Sequence, residues 1–258
     1  HMRTPVPAIM TTIIMRKVST ERSLMTSWLQ PAKSCPERAR EIVVVDYHRG
    51  NLQSVVRGLS AVGGFAVASD DPKRIASAAG LVLPGVGAFE DAMGFLRQSG
   101  EADAILSSIG EDTPFLGICL GLHLLFERST ERSRSLGRSS WGGNWVPGLG
   151  VLAGSVTRLD SQRLKVPHVG WNQLHLTKQG EQCPLLVDVA EGTNAYFTHS
   201  YALADGHDGD VVCAKTHYAS SFPSTIWRDN IFAVQFHPEK SSTAGLRMLS
   251  NFVRIVYG

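Results

Sequence analysis

The chain has 258 residues, 43% of them hydrophobic and 19% charged, with a formal net charge of +2. This is room for one large α/β domain with a filled core, and so small a charge argues against nucleic acid or a membrane surface as partner. No run of about 18 apolar residues occurs, so no segment reads as a membrane span, and four cysteines without a C-x-x-C pair speak against a zinc site or a disulfide framework and fit a reducing, cytoplasmic setting.

Positions 1 to 40 lack strand alternation and carry Arg3, Arg16, Lys17, Arg22, Lys33, Arg38 and Arg40 against only Glu21 and Glu37. They read as an N-terminal extension, disordered or loosely packed, with His1-Met2 a vector remnant. Organellar targeting and an over-long gene start are the specific alternatives. From 41 the pattern becomes regular and reads as one domain, 41–258. Glu41 to Asp46 is a buried strand of β-branched residues, and Leu52, Val55, Val56, Leu59 and Val62 fall at helical spacing up to Gly63-Gly64. A strand over Phe65–Ala68 precedes Asp71-Pro72, a cap and first-turn pair that opens a helix. Strands at Gly80–Pro84 and Pro114–Ile118 bracket helices at Ala88–Arg97 and Ala102–Ile109. Strand and helix alternate, which predicts an α/β fold with a mostly parallel central sheet, helices on both faces and function at the carboxyl ends of the strands.

Glu127 to Asn144, rich in Ser, Arg and Gly, reads as a surface loop. Short strands follow at Val151–Arg158, Trp171–Leu176, Asn194–Tyr201, Val211–Thr216, Ser224–Trp227 and Ile231–Phe236, and an amphipathic helix at Ser242–Val256 closes the chain.

One strand end carries Gly117-Ile118-Cys119-Leu120-Gly121, the form of a nucleophile elbow, where small neighbours let the chain turn sharply and hold the thiol above the sheet. A nucleophile needs a base, and the base an orienting group. Val234-Gln235-Phe236-His237-Pro238-Glu239 supplies both, since His237 and Glu239, two apart in extended chain, point the same way. The other three cysteines, Cys35, Cys183 and Cys213, read as small buried hydrophobes. Gly85-Val86-Gly87 follows the third strand; Glu90 stands where a dinucleotide fingerprint needs its third glycine, so the loop reads instead as a source of N–H groups for an oxyanion.

With these features in place the chain resembles the class I (triad-type, flavodoxin-like) glutamine amidotransferases. Among them it is most similar to the glutaminase (HisH-type) subunits of imidazole glycerol phosphate synthase. Six segments carry the similarity: Asp46-Tyr47 with Gly50-Asn51-Leu52, Leu83 to Phe89, Gly117 to Gly121, Val166 to Asn172, Tyr196 to Tyr201 and Gln235 to Ser241. The elbow and triad specify only the superfamily, whereas Pro-Gly-Val-Gly-Ala-Phe and Pro-His-Val-Gly-Trp-Asn are specific to this subunit and argue against the glutaminase of pyridoxal phosphate synthesis. An intact triad argues against a non-catalytic binding protein.

The resemblance implies Cys119, His237 and Glu239 as catalytic residues. It implies oxyanion N–H groups at Leu120 and the Val86-Gly87 peptide, and glutamine contacts at Gly85, His123, Glu131, His199, Ser200 and Tyr201. It implies no cofactor or metal, and as partner a separate cyclase (HisF-type) TIM-barrel subunit that receives ammonia, since the residues after 40 fall short of the roughly 250 of such a barrel. Asn51, Lys165, His168, Trp171 and Tyr196 resemble its docking side. One departure stands out: the family has Gln four residues after the cysteine where this chain has His123, on the elbow face, so altered glutamine affinity or pH dependence is expected. His48-Arg49 is a second unusual pair, with no purpose legible in the sequence.

Overall fold

The strand of β-branched residues sits where two cores meet. In the computed structural model, which describes residues 40–48, 52–133, 143–204 and 206–258, β1 (Ile42–Val45) is fully buried. Its alternate side chains go to opposite faces: Ile42 and Val44 join one apolar cluster, Val43 and Val45 the other. A strand covered on both sides has no polar face to show, which is why it reads as an unbroken apolar run. The architecture lies within the unit Glu37–Gly258. The extension expected over 1–40 falls outside the described residues except for Arg40.

After β1 come α1 (Leu52–Ala61), β2 (Ala66–Ser69), α2 (Pro72–Ala76), β3 (Gly80–Gly85), α3 (Phe89–Ser99), α4 (Glu101–Gly110), β4 (Phe115–Cys119) and α5 (Leu120–Leu124). The helix start read at Asp71-Pro72 is present, with the Asp71 carboxylate accepting from Lys73 N–H and Pro72 in the first turn. On one face α1 and the last helix, α6 (Ser242–Tyr257), pack through Leu52, Val55, Leu59, Met248, Leu249 and Phe252. The opposite face is covered by α2, α3 and α4 through Ile75, Phe89, Met93, Leu96 and Ile105. Each such side chain, fully buried, contributes about 1.5–3 kcal/mol. Arg74 on α2 closes the sheet end with two 2.8 Å hydrogen bonds to the buried Glu41 carboxylate.

The second half adds β5 (Phe126–Ser129), β6 (Val146–Pro147), β7 (Leu152–Arg158), β8 (His168–Leu176), β9 (Thr193–His199), β10 (Tyr201–Leu203), β11 (Val212–Tyr218), β12 (Ser220–Arg228) and β13 (Ile231–Val234). The central sheet has the order β2-β1-β3-β4-β13-β12-β11-β8-β9. Pairing is parallel from β2 to β13, as strand–helix alternation predicts, and antiparallel from β13 to β9. Short turns join β11 to β12 and β12 to β13, which makes those pairs antiparallel. A second sheet runs β10-β7-β5-β6.

The segment expected to be a surface loop is therefore corrected at its start. Phe126–Ser129 is a strand paired to β7 and β6, with Phe126 and Ser129 buried, while 134–142, with Arg134 and Arg138, lies outside the described residues. Among the described residues no helix is long and apolar enough to cross a membrane.

Candidate active site

Cys119 ends β4 with φ 54° and ψ −104°, a left-handed conformation that costs a non-glycine residue roughly 1–3 kcal/mol and persists only where the surroundings enforce it. The two glycines supply the enforcement. A Cβ on Gly121 would stand 1.7 Å from the Leu83 carbonyl oxygen of β3, and one on Gly117 would stand 2.8 Å from the Gly121 oxygen. Only bare backbone lets α5 lie this close to β3 and turn the thiol up at the strand end.

β13 lies beside β4, with Val234 opposite Ile118, so the chain leaving β13 carries His237 to the elbow. His237 Nδ1 donates to Glu239 Oε1 at 2.9 Å, and both side chains are 4% exposed. The backbone of His237 is anchored as well: its N–H donates to the Tyr196 carbonyl, and Ser241 Oγ donates to the His237 carbonyl at 2.7 Å while accepting from Tyr196 N–H. Burial pulls the imidazolium pKa down, but hydrogen bonding and charge from Cys119 and Glu239 outweigh it and raise it to about 10. Nε2, the ring nitrogen that Glu239 does not hold, is buried. The structure thus brings Cys119, His237 and Glu239 together in the arrangement that a nucleophile, its base and an orienting group require.

A cavity of about 290 Å³ opens at the thiol, the lower end of the range for small-molecule sites. The β3 loop lines it with Gly85, Val86 and Gly87, the elbow with Cys119, Leu120 and His123, and the end of β9 with Thr198, His199, Ser200 and Tyr201. Gly87 takes φ +104°, a turn that a side chain resists. Glu131 also lines the cavity. It is not merely a solvated loop residue: its carboxylate accepts from Phe89 N–H at 3.2 Å, and burial, opposed by that bond and aided by Asp91, raises its pKa to about 7. A second cavity sharing Gly87, Glu131, Ser200 and Tyr201 continues outward past Asp91 and Arg158.

His123 reaches the cavity as its helical spacing predicts, but its ring is 3% exposed and its Nε2 lies 2.7 Å from Gln235 Oε1. Burial, against the Gln235 bond, lowers its pKa to about 4, so the ring is neutral and brings no titration of its own near neutral pH. Two residues that the sequence reading passed over touch the thiol: Cys119 Sγ donates to the Thr198 carbonyl at 3.9 Å, and Gln235 Nε2 donates to Sγ at 3.8 Å. Strand alternation was the available signal for Gln235, two residues before His237.

The docking-side residues separate. Trp171 is 55% exposed and meets Tyr196 edge-on across β8 and β9, ring centroids 6.1 Å apart. Lys165 is exposed, and Asn51 lies outside the described residues. His168 is not at the surface with them: it is 3% exposed, stacked on Tyr218 and Phe197. Its place is set by a chain of bonds. His199 Nδ1 donates to the Tyr201 carbonyl at 2.8 Å, so its Nε2 accepts from His168 Nδ1 at 3.1 Å, and His168 Nε2 accepts from Asn172. A neutral ring with one proton fits this ladder, and burial lowers the pKa of His168 to about 4 and of His199 to about 3. Cys183 and Cys213 are buried, as read. Cys35 and Arg49 lie outside the described residues, and His48 sits 3.7 Å from the Asp46 carboxylate and 3.8 Å from that of Asp70.

A family model described as glutamine amidotransferase class-I matches residues 43–256. The subunit HisH of imidazole glycerol phosphate synthase from Chloroflexus aurantiacus is 44% identical over 213 residues, 83% of this chain and 95% of that protein. The HisH subunit from Gloeobacter violaceus is 44% identical over 217 residues, 84% of this chain and 90% of that protein. Among solved structures, a glutamine amidotransferase is similar with a TM-score of 0.59 at 18% identity, covering 84% of this chain and all of that one. The acivicin-bound glutaminase domain of CTPS from Trypanosoma brucei gives 0.54 at 14%, covering 83% and 94%. At those identities the structural likeness speaks to the fold alone.

Proposed function

The chain belongs to the class-I glutamine amidotransferase family, and from that premise we propose how its residues act. It is the glutaminase subunit of an imidazole glycerol phosphate synthase, which hydrolyses glutamine to glutamate in histidine biosynthesis. Its ammonia passes to a separate cyclase subunit, a TIM barrel that docks on the side of Trp171, Tyr196 and Lys165.

Glutamine occupies the 290 Å³ cavity with its carboxamide at Cys119. The carboxylate of Glu131 takes the α-ammonium, and the backbone of His199, Ser200 and Tyr201 takes the α-carboxylate. With His237 protonated, the sulfur attacks the carboxamide carbon, and the oxyanion meets the N–H of Leu120 and an N–H of the Val86-Gly87 peptide. His237 passes its proton to the departing nitrogen, which leaves as ammonia from a thioester. Neutral His237 then removes a proton from water, whose oxygen adds to the thioester carbon; collapse expels the thiolate and releases glutamate. Glu239 holds the ring in one tautomer throughout.

The observation that carries this reading is the 2.9 Å bond from His237 to Glu239, just past the end of the strand paired beside the elbow. Glutamate release by the chain alone, with a cyclase subunit, and with the cyclase's nucleotide ligand tests it. Release that rises at the last step and disappears in Cys119→Ala is expected; none in any mixture, with Cys119 still open to alkylation, would overturn it.

A further inference from the structure

We propose that Gln235 is a further catalytic residue, its amide N–H donating to the Cys119 sulfur, and that His123 is the positioning residue that sets which way this amide faces; the inference rests on the glutaminase reading. Gln235 follows β13, is fully buried, and lies in sequence 112 residues from His123. Its carboxamide spans the gap between that ring and the nucleophile, with oxygen 2.7 Å from His123 Nε2 and nitrogen 3.8 Å from Cys119 Sγ.

The direction of the amide follows from satisfaction of buried groups. A neutral imidazole has one N–H and one lone pair. His123 Nδ1 is buried with no hydrogen-bond partner, and a buried lone pair without a partner is cheaper than a buried N–H without one. The proton therefore sits on Nε2, which donates to Gln235 Oε1. The amide NH₂ is thereby turned toward the sulfur. The flipped amide would set two donors against each other at His123 and present an oxygen to a sulfur that becomes anionic. Burial keeps the ring neutral, so the orientation holds across the working pH.

The sulfur carries charge twice in the reaction, as attacking thiolate and as the group expelled from the thioester, and an N–H fixed beside it favours both states. The Thr198 carbonyl, 3.9 Å away, accepts from the neutral thiol instead, so the two contacts serve opposite protonation states. The other titratable groups around this sulfur are His237 after β13, with Glu239 bonded to its Nδ1, and, lining the cavity, His123, Glu131, His199 and Tyr201. None of these except His123 is altered in the test.

The test is the rate of iodoacetamide alkylation against pH, read at Cys119 by mass spectrometry on the full chain. Gln235→Glu is isosteric and replaces the donor by an acceptor. Its alkylation is expected to slow about tenfold at pH 7, the scale of one hydrogen bond to a charged group, with the profile moved to higher pH. His123→Leu, which leaves the amide free to turn, shifts the same way by a smaller amount, and His123→Gln restores the parent profile because a carboxamide donates to Oε1 as the ring does. Profiles of Gln235→Glu and His123→Leu that superimpose on the parent overturn the proposal. Alkylation requires no glutamine, so that failure is distinct from a parent chain that alkylates normally yet never releases glutamate, which overturns the glutaminase reading.

Discussion

Replacing Gly121 by alanine tests whether the close approach of α5 to β3 holds the nucleophile in place. The added Cβ would lie 1.7 Å from the Leu83 carbonyl oxygen and 2.8 Å from its carbon, and must retreat beyond 3.0 Å. The obstacle is strand backbone in the middle of a paired sheet, so α5 has to move by more than an ångström, taking Cys119 with it. Overpacking of a core typically costs about 1–3 kcal/mol and occasionally more; at about 2–4 °C per kcal/mol for a domain of this size, a fall in Tm of roughly 2–12 °C is expected. A misplacement of about 1 Å also costs a catalytic group on the order of 10²-fold in rate. Glutamate release and thermal melting measured together on Gly121→Ala decide it, with Gly94→Ala as the control, since no atom lies within 4 Å of a Cβ there. A Gly121→Ala chain that melts within 2 °C of the parent and keeps activity within threefold would refute the reasoning.

Glu239→Gln keeps the size of the group at His237 Nδ1 but removes its charge and its obligate acceptor; kcat for glutamate release should fall by at least about 10²-fold, toward the ~10⁴ of the equivalent change in a serine triad, and an unchanged kcat would remove Glu239 from the triad. Glu131, whose burial raises its pKa to about 7, is protonated below that pH and charged above it. KM for glutamine should therefore climb as pH falls from 8 to 6, by up to about tenfold per unit, and Glu131→Gln should raise KM and flatten that slope; a slope that survives the substitution counts against the α-ammonium contact. Trp171→Ala should weaken binding of the cyclase subunit by roughly 30-fold or more, the scale of an aromatic interface anchor, with melting temperature unchanged; calorimetric affinities equal to the parent's would place the docking surface elsewhere.

The parallel half of the sheet was legible because its strands are covered on both faces and its helices on one. Ile42 to Val45 reads as a strand from four consecutive apolar residues, and Leu52, Val55 and Leu59 read as a helix from their spacing. The antiparallel half was legible only as a series of short strands. β8 begins at His168, three residues before the expected Trp171, because His168-Val169-Gly170 owes its extended state to pairing with β9 rather than to its own pattern. β5 was hidden for the same reason, since Phe126–Ser129 is held by β7 and β6. His168 shows the limit for side chains: a histidine between exposed Lys165 and Trp171 reads as surface, yet Tyr218 and Phe197, far along the chain, stack on it and exclude water.

The sequence by itself determined the order of strands and helices in the parallel half, the elbow and the chemical inventory of the site, because backbone sterics, hydrophobic period and the spacing of His237 and Glu239 act over a few residues. Only the tertiary structure decided which strands lie side by side, that Gln235 stands between His123 and Cys119, and that Glu131, His123, His168 and His199 lose their water. Those outcomes depend on burial and strand register, which are set by packing between residues distant in the chain.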